Sequence, residues 1–283
     1  MKRAAIVVAV LGMCAWSFGQ SNAKPAAGQA TPAGQATTPP GKRPPAAKTQ
    51  PEFEAYKAAI TQTDPVALEK AVDDFAAKYP DSELRAPLYT VCMGRYQGNP
   101  DKMMETGKKI LAIDPDDPAA LVGVAQAIVE KMHDTDLDKD QERADAKKNA
   151  ERALVTVDTD VPTSGYSVEQ ITAFKNGVRS EAYFIMGTLS FKDSKWADAE
   201  VNLRKSVDLM PQSPDAFTIF QLAVSLDMQN KLPEAMKYAD QAVDLTKDRA
   251  DSGVGKAARA EKDRLTKLSS GTAPGQAATP PKN

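Results

Sequence analysis

Apolar residues recur at helical spacing through the middle of this 283-residue chain, and short polar turns interrupt them at regular intervals. The pattern is clearest between Ser180 and Lys247, where Ala199 and Ala235 stand 36 residues apart in matching sequences of helix, turn and helix. A two-helix unit cannot bury its apolar face alone, so its repetition predicts a stack of helix pairs. We therefore expect an all-α protein.

Weaker copies of the unit lie closer to the N-terminus. Helix pairs are predicted over 52–61 with 65–79, over 83–97 with 100–113, and over 119–131 with 141–157. Gly98 and Pro100 mark the boundary between two predicted helices, because Gly favours a helix end and Pro a helix start. A last amphipathic helix, 254–268, predicts a polar cap on the stack.

The unit 180–213 resembles the 34-residue tetratricopeptide repeat (TPR). Tyr183 occupies the aromatic position near its start, Gly187 the small position where the two helices touch, and Pro211 the closing position. The unit 216–247 fits less strictly, since a lysine replaces the closing proline.

Residues 71–82, AVDDFAAKYPDS, are similar to repeat endings in exported bacterial TPR proteins, including outer-membrane assembly lipoproteins. The family resemblance implies that residues 51–268 form a TPR-like α-solenoid, a right-handed superhelix of helical hairpins. It also implies a partner protein or peptide bound in the concave groove that the first helix of each pair lines.

The groove positions of the family fall on eight residues of this sequence: Phe184, Thr188, Phe191, Lys192, Phe217, Phe220, Val224 and Asp227. Aromatic side chains are the anchors that interface hot spots favour. The alternative is that some of these phenylalanines pack between helices. The sequence lacks the Lys/Asn pattern with which some TPR proteins clamp a C-terminal carboxylate.

The N-terminus has the pattern of a secretory signal peptide, residues 1–19. A positive start precedes an apolar stretch that is short for a bilayer span. Small residues predict cleavage after Gly19, with Ala23 as the alternative. Lipidation at Cys14 or an uncleaved anchor would attach the protein to a membrane, but Met13 departs from the lipobox pattern. We expect an exported, periplasmic protein, with outer-membrane association or secretion as alternatives.

Low-complexity sequence flanks the predicted repeat domain. Residues 20–50 and 269–283 are rich in Ala, Pro and Gly and predict flexible arms. The N-terminal arm has no acidic residue and carries four cations: Lys24, Lys42, Arg43 and Lys48. We interpret it as a solvated tether; adhesion to anionic lipid or cell-wall polymer is the alternative.

Charge narrows the class of partner. The chain has 36 basic and 38 acidic residues, and seven of the basic ones lie outside the predicted domain, which leaves a domain charge near −9. A negative domain argues against nucleic acid as the partner. A basic partner fits this charge, although the charge does not require one.

Candidate chemistry is sparse. The chain has one histidine, His133, and Cys92 is the only cysteine after the predicted signal peptide. We find no triad, phosphate loop or His-rich metal set, and so expect no catalysis and no cofactor.

One acidic insertion interrupts the repeat pattern between residues 133 and 145. Its alternating carboxylates resemble the first half of an EF-hand loop: Asp134, Asp136, Asp138 and Asp140. Lys139 stands where the turn needs Gly, and Asp145 replaces the bidentate Glu. We interpret the insertion as a solvated loop, with calcium binding as the alternative.

The sequence therefore predicts a non-catalytic protein-binding scaffold of the bacterial cell envelope. The alternatives are a membrane-attached assembly component that resembles outer-membrane TPR lipoproteins, and a calcium-responsive binding module.

Overall fold

The computed structural model describes residues 42–133 and 135–270, and the chain forms eleven α-helices within these ranges. In chain order they are α1 (Gln50–Ile60), α2 (Pro65–Lys78), α3 (Arg85–Arg95), α4 (Pro100–Ile113), α5 (Pro118–Lys131), α6 (Lys139–Thr156), α7 (Val168–Lys192), α8 (Trp196–Leu209), α9 (Ala216–Asp227), α10 (Leu232–Leu245) and α11 (Gly253–Ser269). The predicted all-α stack of five helix pairs and a terminal helix is confirmed. The predicted signal peptide, the arm up to residue 41 and the tail from 271 lie outside the described residues.

Acidic or amide caps followed by proline start three of these helices. Asp64, Asn99 and Asp117 each accept a hydrogen bond from the backbone N–H three residues later, at 2.8, 3.2 and 2.8 Å. A proline follows each cap, at a position where the missing N–H costs nothing. These local signals explain why the sequence pattern located α2, α4 and α5 closely.

Two kinds of helix alternate along the chain. The odd-numbered helices α5 and α9 are buried nearly all round, with twelve of fourteen and eleven of twelve residues buried, whereas α1 and α11 at the ends of the stack bury three of eleven and four of seventeen. Even-numbered helices bury one stripe of residues and expose the rest, as Ala146, Ala150 and Ala153 do on α6 and Ala235, Ala239 and Ala242 on α10. Small side chains in these stripes let neighbouring helices approach closely.

Contacts between helices define two layers. Each helix packs against the next in sequence, and each odd-numbered helix also contacts the next odd-numbered one. The odd-numbered helices therefore form an inner row, and the even-numbered helices cover it as an outer row. This is a helical-repeat solenoid arrangement. None of the eleven helices in the described part combines the length and apolar character needed to span a bilayer.

Helix α5 joins two hydrophobic cores. Ala120 and Ala127 face the core built by α1–α4, whereas Leu121, Val124 and Ile128 belong to the core built by the later helices. The stack is therefore continuous through α5, since this one helix contributes residues to both cores.

The repeat seen in the sequence has a structural counterpart. Ser194 and Asn230, 36 residues apart, both adopt left-handed backbone angles, with φ of 58° and 61°. The residue after each of them donates its N–H to a carbonyl five residues earlier, at 2.8 and 2.9 Å. The two turns thus end α7 and α9 in the same way. Ala199 and Ala235, which follow these turns, are fully buried.

Rows of ion pairs, here called polar ladders, connect neighbouring outer helices. Lys102 and Lys109 on α4 reach Glu69 and Asp73 on α2, at 2.7 and 3.1 Å. Tyr89 on α3 donates to Asp73 at 2.8 Å, and burial with this bond raises the pKa of the phenol. Each exposed ion pair contributes about 0–1 kcal/mol, so the ladder specifies alignment more than it stabilises the fold.

Helix α7 starts much earlier than the repeat pattern indicated. The clearest unit began at Ser180, but α7 begins at Val168 and runs for 25 residues. Ser167 and Gln170 form a reciprocal capping box there: the Ser167 hydroxyl accepts from the Gln170 N–H at 3.2 Å, and the Gln170 side chain accepts from the Ser167 N–H at 2.9 Å. The signal was present in the sequence as S-V-E-Q.

The contact between α7 and α8 predicts the effect of one substitution. A Cβ added at Gly187 would lie 2.8 Å from the Leu203 side chain and 3.2 Å from its backbone nitrogen. We expect Gly187→Ala to lower the free energy of unfolding by roughly 1–3 kcal/mol in urea denaturation followed by circular dichroism. Gly253→Ala is the matched control, because a Cβ there meets no atom within 4 Å. Equal effects of the two substitutions would contradict the close approach.

Candidate partner-binding surface

The eight predicted groove residues lie on two neighbouring inner helices, α7 and α9. The ring of Phe184 meets that of Phe217 edge to face, with centroids 6.2 Å apart. Thr188 donates its hydroxyl hydrogen to the Gln221 side-chain oxygen at 3.0 Å. The structure therefore brings the two predicted sets of residues together across the contact between α7 and α9.

Six of the eight residues are buried, with less than a tenth of each residue exposed: Phe184, Thr188, Phe191, Phe220, Val224 and Asp227. Phe220 is only 1% exposed. Phe184 and Thr188 contact residues of α9, whereas Phe191 packs on α8 and Asp227 pairs with a residue of α11. Lys192 and Phe217 are half-buried and reach the surface.

The end of α7 is held by packing on two sides. The Phe191 ring meets the Trp196 ring of α8 edge-on, with centroids 5.4 Å apart. The Lys192 ammonium donates to the Met132 carbonyl just beyond α5, at 3.4 Å. These contacts link the C-terminal end of α7 to α8 and to the segment after α5.

Asp227 is neutralised from within the chain. Arg264 of α11 pairs with Asp227 and, at 3.2 Å, with the fully buried Glu261. Burial by itself lowers the pKa of Arg264, but its hydrogen bonds to the two carboxylates outweigh this effect and raise the pKa. The predicted cap is thus an ion-paired helix that covers the end of α9.

Two apolar side chains of the α9 region remain accessible. Phe217 lies near the start of α9 and Met228 directly after its end, where Met228 is 41% exposed. Methionine adapts its shape to irregular apolar surfaces, and aromatic rings are strong interface anchors. The surface open to a partner here is smaller than the sequence predicted, because six of the eight predicted groove residues are buried.

The acidic insertion folds as a turn before α6. Asp136 accepts a hydrogen bond from the His133 N–H at 2.6 Å, and Asp140 lies 3.7 Å from Arg143. Asp138 directly precedes α6, and Asp134 lies outside the described residues. Among the described residues, no three His, Cys, Asp or Glu side chains are grouped to hold a metal ion. Calcium binding stays a prediction.

A cluster of charges that the sequence did not reveal lies before α1. Lys42 pairs with Asp114, which ends α4, and with Asp160, which follows α6, at 3.1 Å for the latter. Arg43 pairs with Glu83, which precedes α3, at 2.5 Å. The arm residues from 42 onward therefore lie against the fold. No local pattern could indicate this, since Lys42 is 72 and 118 residues away from its two partners.

The carboxylates of this cluster have perturbed acidities. Burial raises the pKa of Asp117 to about 6, and the nearby charges of Asp114 and Asp160 add to the rise. Burial also raises the pKa of Asp160. For Lys42, burial acts to lower the pKa, but the bonds to Asp114 and Asp160 outweigh it and raise the pKa. Lys42 is thus the cation that this group of acids faces.

No protein-family model matches this chain, and comparisons with curated proteins and with solved structures find no match either. The fold defines the class of protein, an all-α helical-repeat stack. Membership of the TPR family remains an expectation from the sequence resemblance.

The burial of Phe220 predicts that Phe220 and Phe217 contribute differently to the stability of the fold. Phe220→Ala should lower the free energy of unfolding by about 3–5 kcal/mol, because removing a fully buried ring leaves a cavity in the hydrophobic core. Phe217→Ala on the same helix should cost clearly less, since Phe217 is only partly buried. Urea denaturation of both variants measures the difference, and equal losses would contradict the assignment of Phe220 to the core.

Asp117 should make stability depend on pH. Its folded pKa, about 6, lies above the ordinary value of 3.8, so its stabilising contribution is complete below pH 4 and is lost as the pH rises through 6. Asp117→Asn keeps an acceptor for the α5 cap without the charge. We expect the variant to gain roughly 1–3 kcal/mol over the wild type at pH 7 and little at pH 4, measured by urea denaturation at each pH. A difference that stays constant over this range would contradict the raised pKa.

Proposed function

We propose that this protein is a non-catalytic scaffold that binds a partner protein or peptide in the bacterial cell envelope. The observation that carries the proposal is the two-layer stack, in which successive helix pairs build an extended surface around a continuous core. Stacks of this kind use their inner row to present side chains to a partner.

The surface that best fits a partner lies beside α9. Phe217 offers a half-buried aromatic ring, and Met228 offers an exposed flexible side chain. Lys192 at the end of α7 adds a cation. The buried ring of Phe184 packs edge to face on the ring of Phe217. A segment with apolar side chains and an acidic residue has the complementary chemistry.

Site-specific crosslinking in native envelopes tests this surface. A photoreactive phenylalanine at position 217 or 228 should capture a product of the same discrete mass. Val201 on α8 is the matched control, because it is 52% exposed but lies on the outer row. Capture from position 201 of the same product with equal yield, or no capture from 217 and 228, would contradict a partner site beside α9.

The envelope location rests on the N-terminal sequence. Residues 1–19 carry the signal pattern, and cleavage after Gly19 would leave Gln20 as the first residue. Mass spectrometry of the N-terminal peptide should find Gln20 in the soluble periplasmic fraction. An intact N-terminus, or a lipid-modified Cys14 in the membrane fraction, would instead support the membrane-attached assembly component.

A further inference from the structure

The loops before three inner helices form one continuous edge of the stack. Glu83 precedes α3, Asp114 lies in the loop before α5, and Asp160 lies in the loop before α7. We call these three residues the acidic edge. Residues 42–46 extend along it: Lys42 pairs with Asp114 and Asp160, and Arg43 pairs with Glu83. One short segment thus spans three successive helix pairs.

The acidic edge contacts the backbone of this segment as well as its charges. The Ala46 N–H donates to Glu83 at 3.1 Å, and Lys42 forms an isolated parallel bridge with Pro162. Pro44 and Pro45 between these contacts favour an extended backbone. The geometry therefore suits two adjacent cations on an extended, proline-containing chain.

The contacts that residues 42–46 make with the acidic edge are of a kind that can dissociate and be replaced by those of another chain. The Lys42 side chain is 40% exposed and that of Arg43 68%, so both cations face water and their ion pairs are screened by salt. Removal of Lys42 would leave Asp114, Asp117 and Asp160 facing one another without this cation. The edge thus attracts a replacement cation once the segment departs.

We propose that the acidic edge is a binding surface for an extended basic segment of a partner protein, and that residues 42–46 are its resident, exchangeable occupant. The partner segment carries adjacent Lys and Arg followed by prolines, and it docks by displacing the chain's own residues. Because the resident segment is tethered, it competes at an effective concentration on the order of millimolar. The proposal is independent of the surface beside α9.

An NMR titration of the full-length protein tests the exchange. The probe is a peptide with the sequence of residues 40–49, PGKRPPAAKT. The double variant Lys42→Ala/Arg43→Ala empties the edge of its own cations and should bind the probe at least ten-fold more tightly than the wild type. The amides that shift should be those around Glu83, Asp114 and Asp160. Equal binding by the variant and the wild type would overturn the proposal.

Two controls separate recognition from general charge attraction and from misfolding. A probe with Gln at the positions of Lys42 and Arg43 should bind at least ten-fold more weakly than the original probe. Adding Asp114→Asn and Asp160→Asn to the double variant should weaken binding of the original probe by a similar factor, while thermal unfolding followed by circular dichroism shows that the protein stays folded. Retained affinity in either control would overturn the assignment of the acidic edge.

Discussion

This structure depends on one constraint, which is that a single helix pair cannot bury its own apolar stripe. Outer helices turn a narrow buried stripe toward the inner row, as Ala146 and Ala150 do on α6. The inner helices α5 and α9 are then covered by their neighbours on nearly every side, and α5 contributes residues to both hydrophobic cores. The stack is the arrangement that leaves no stripe uncovered along its length.

The same constraint determines which side chains remain for recognition. Packing inside the stack buries Phe220 and Val224, so neither is available to a partner. The polar groups of Thr188 and Asp227 are engaged in a hydrogen bond and an ion pair within the chain. The accessible chemistry therefore shifts to positions where an inner helix starts or ends, such as Phe217, and to the loops between pairs. Stability and recognition compete here for the same face of the inner row.

Sequence reasoning located most of the helices because their caps and periodicity are local. The matched alanines 199 and 235 and the cap-proline starts of α2, α4 and α5 illustrate this. The family resemblance that placed Phe220 in the groove could not reveal how closely the next inner helix approaches. The pairing of Lys42 with Asp160 depends on the completed stack, so nothing near either residue signals it.

The matching turns and stripes of the last two helix pairs have a consequence for how such a chain can change in length. Asn230 repeats the backbone of Ser194, and Ala235 repeats the burial of Ala199. Duplication of the unit α9–α10 would copy Asp227 and Asp240, the carboxylates with which Arg264 and Lys262 of α11 pair. Loss of that unit would instead leave Phe191 and Arg204 at the corresponding repeat positions, so the terminal helix would lose both of these ion-pair partners.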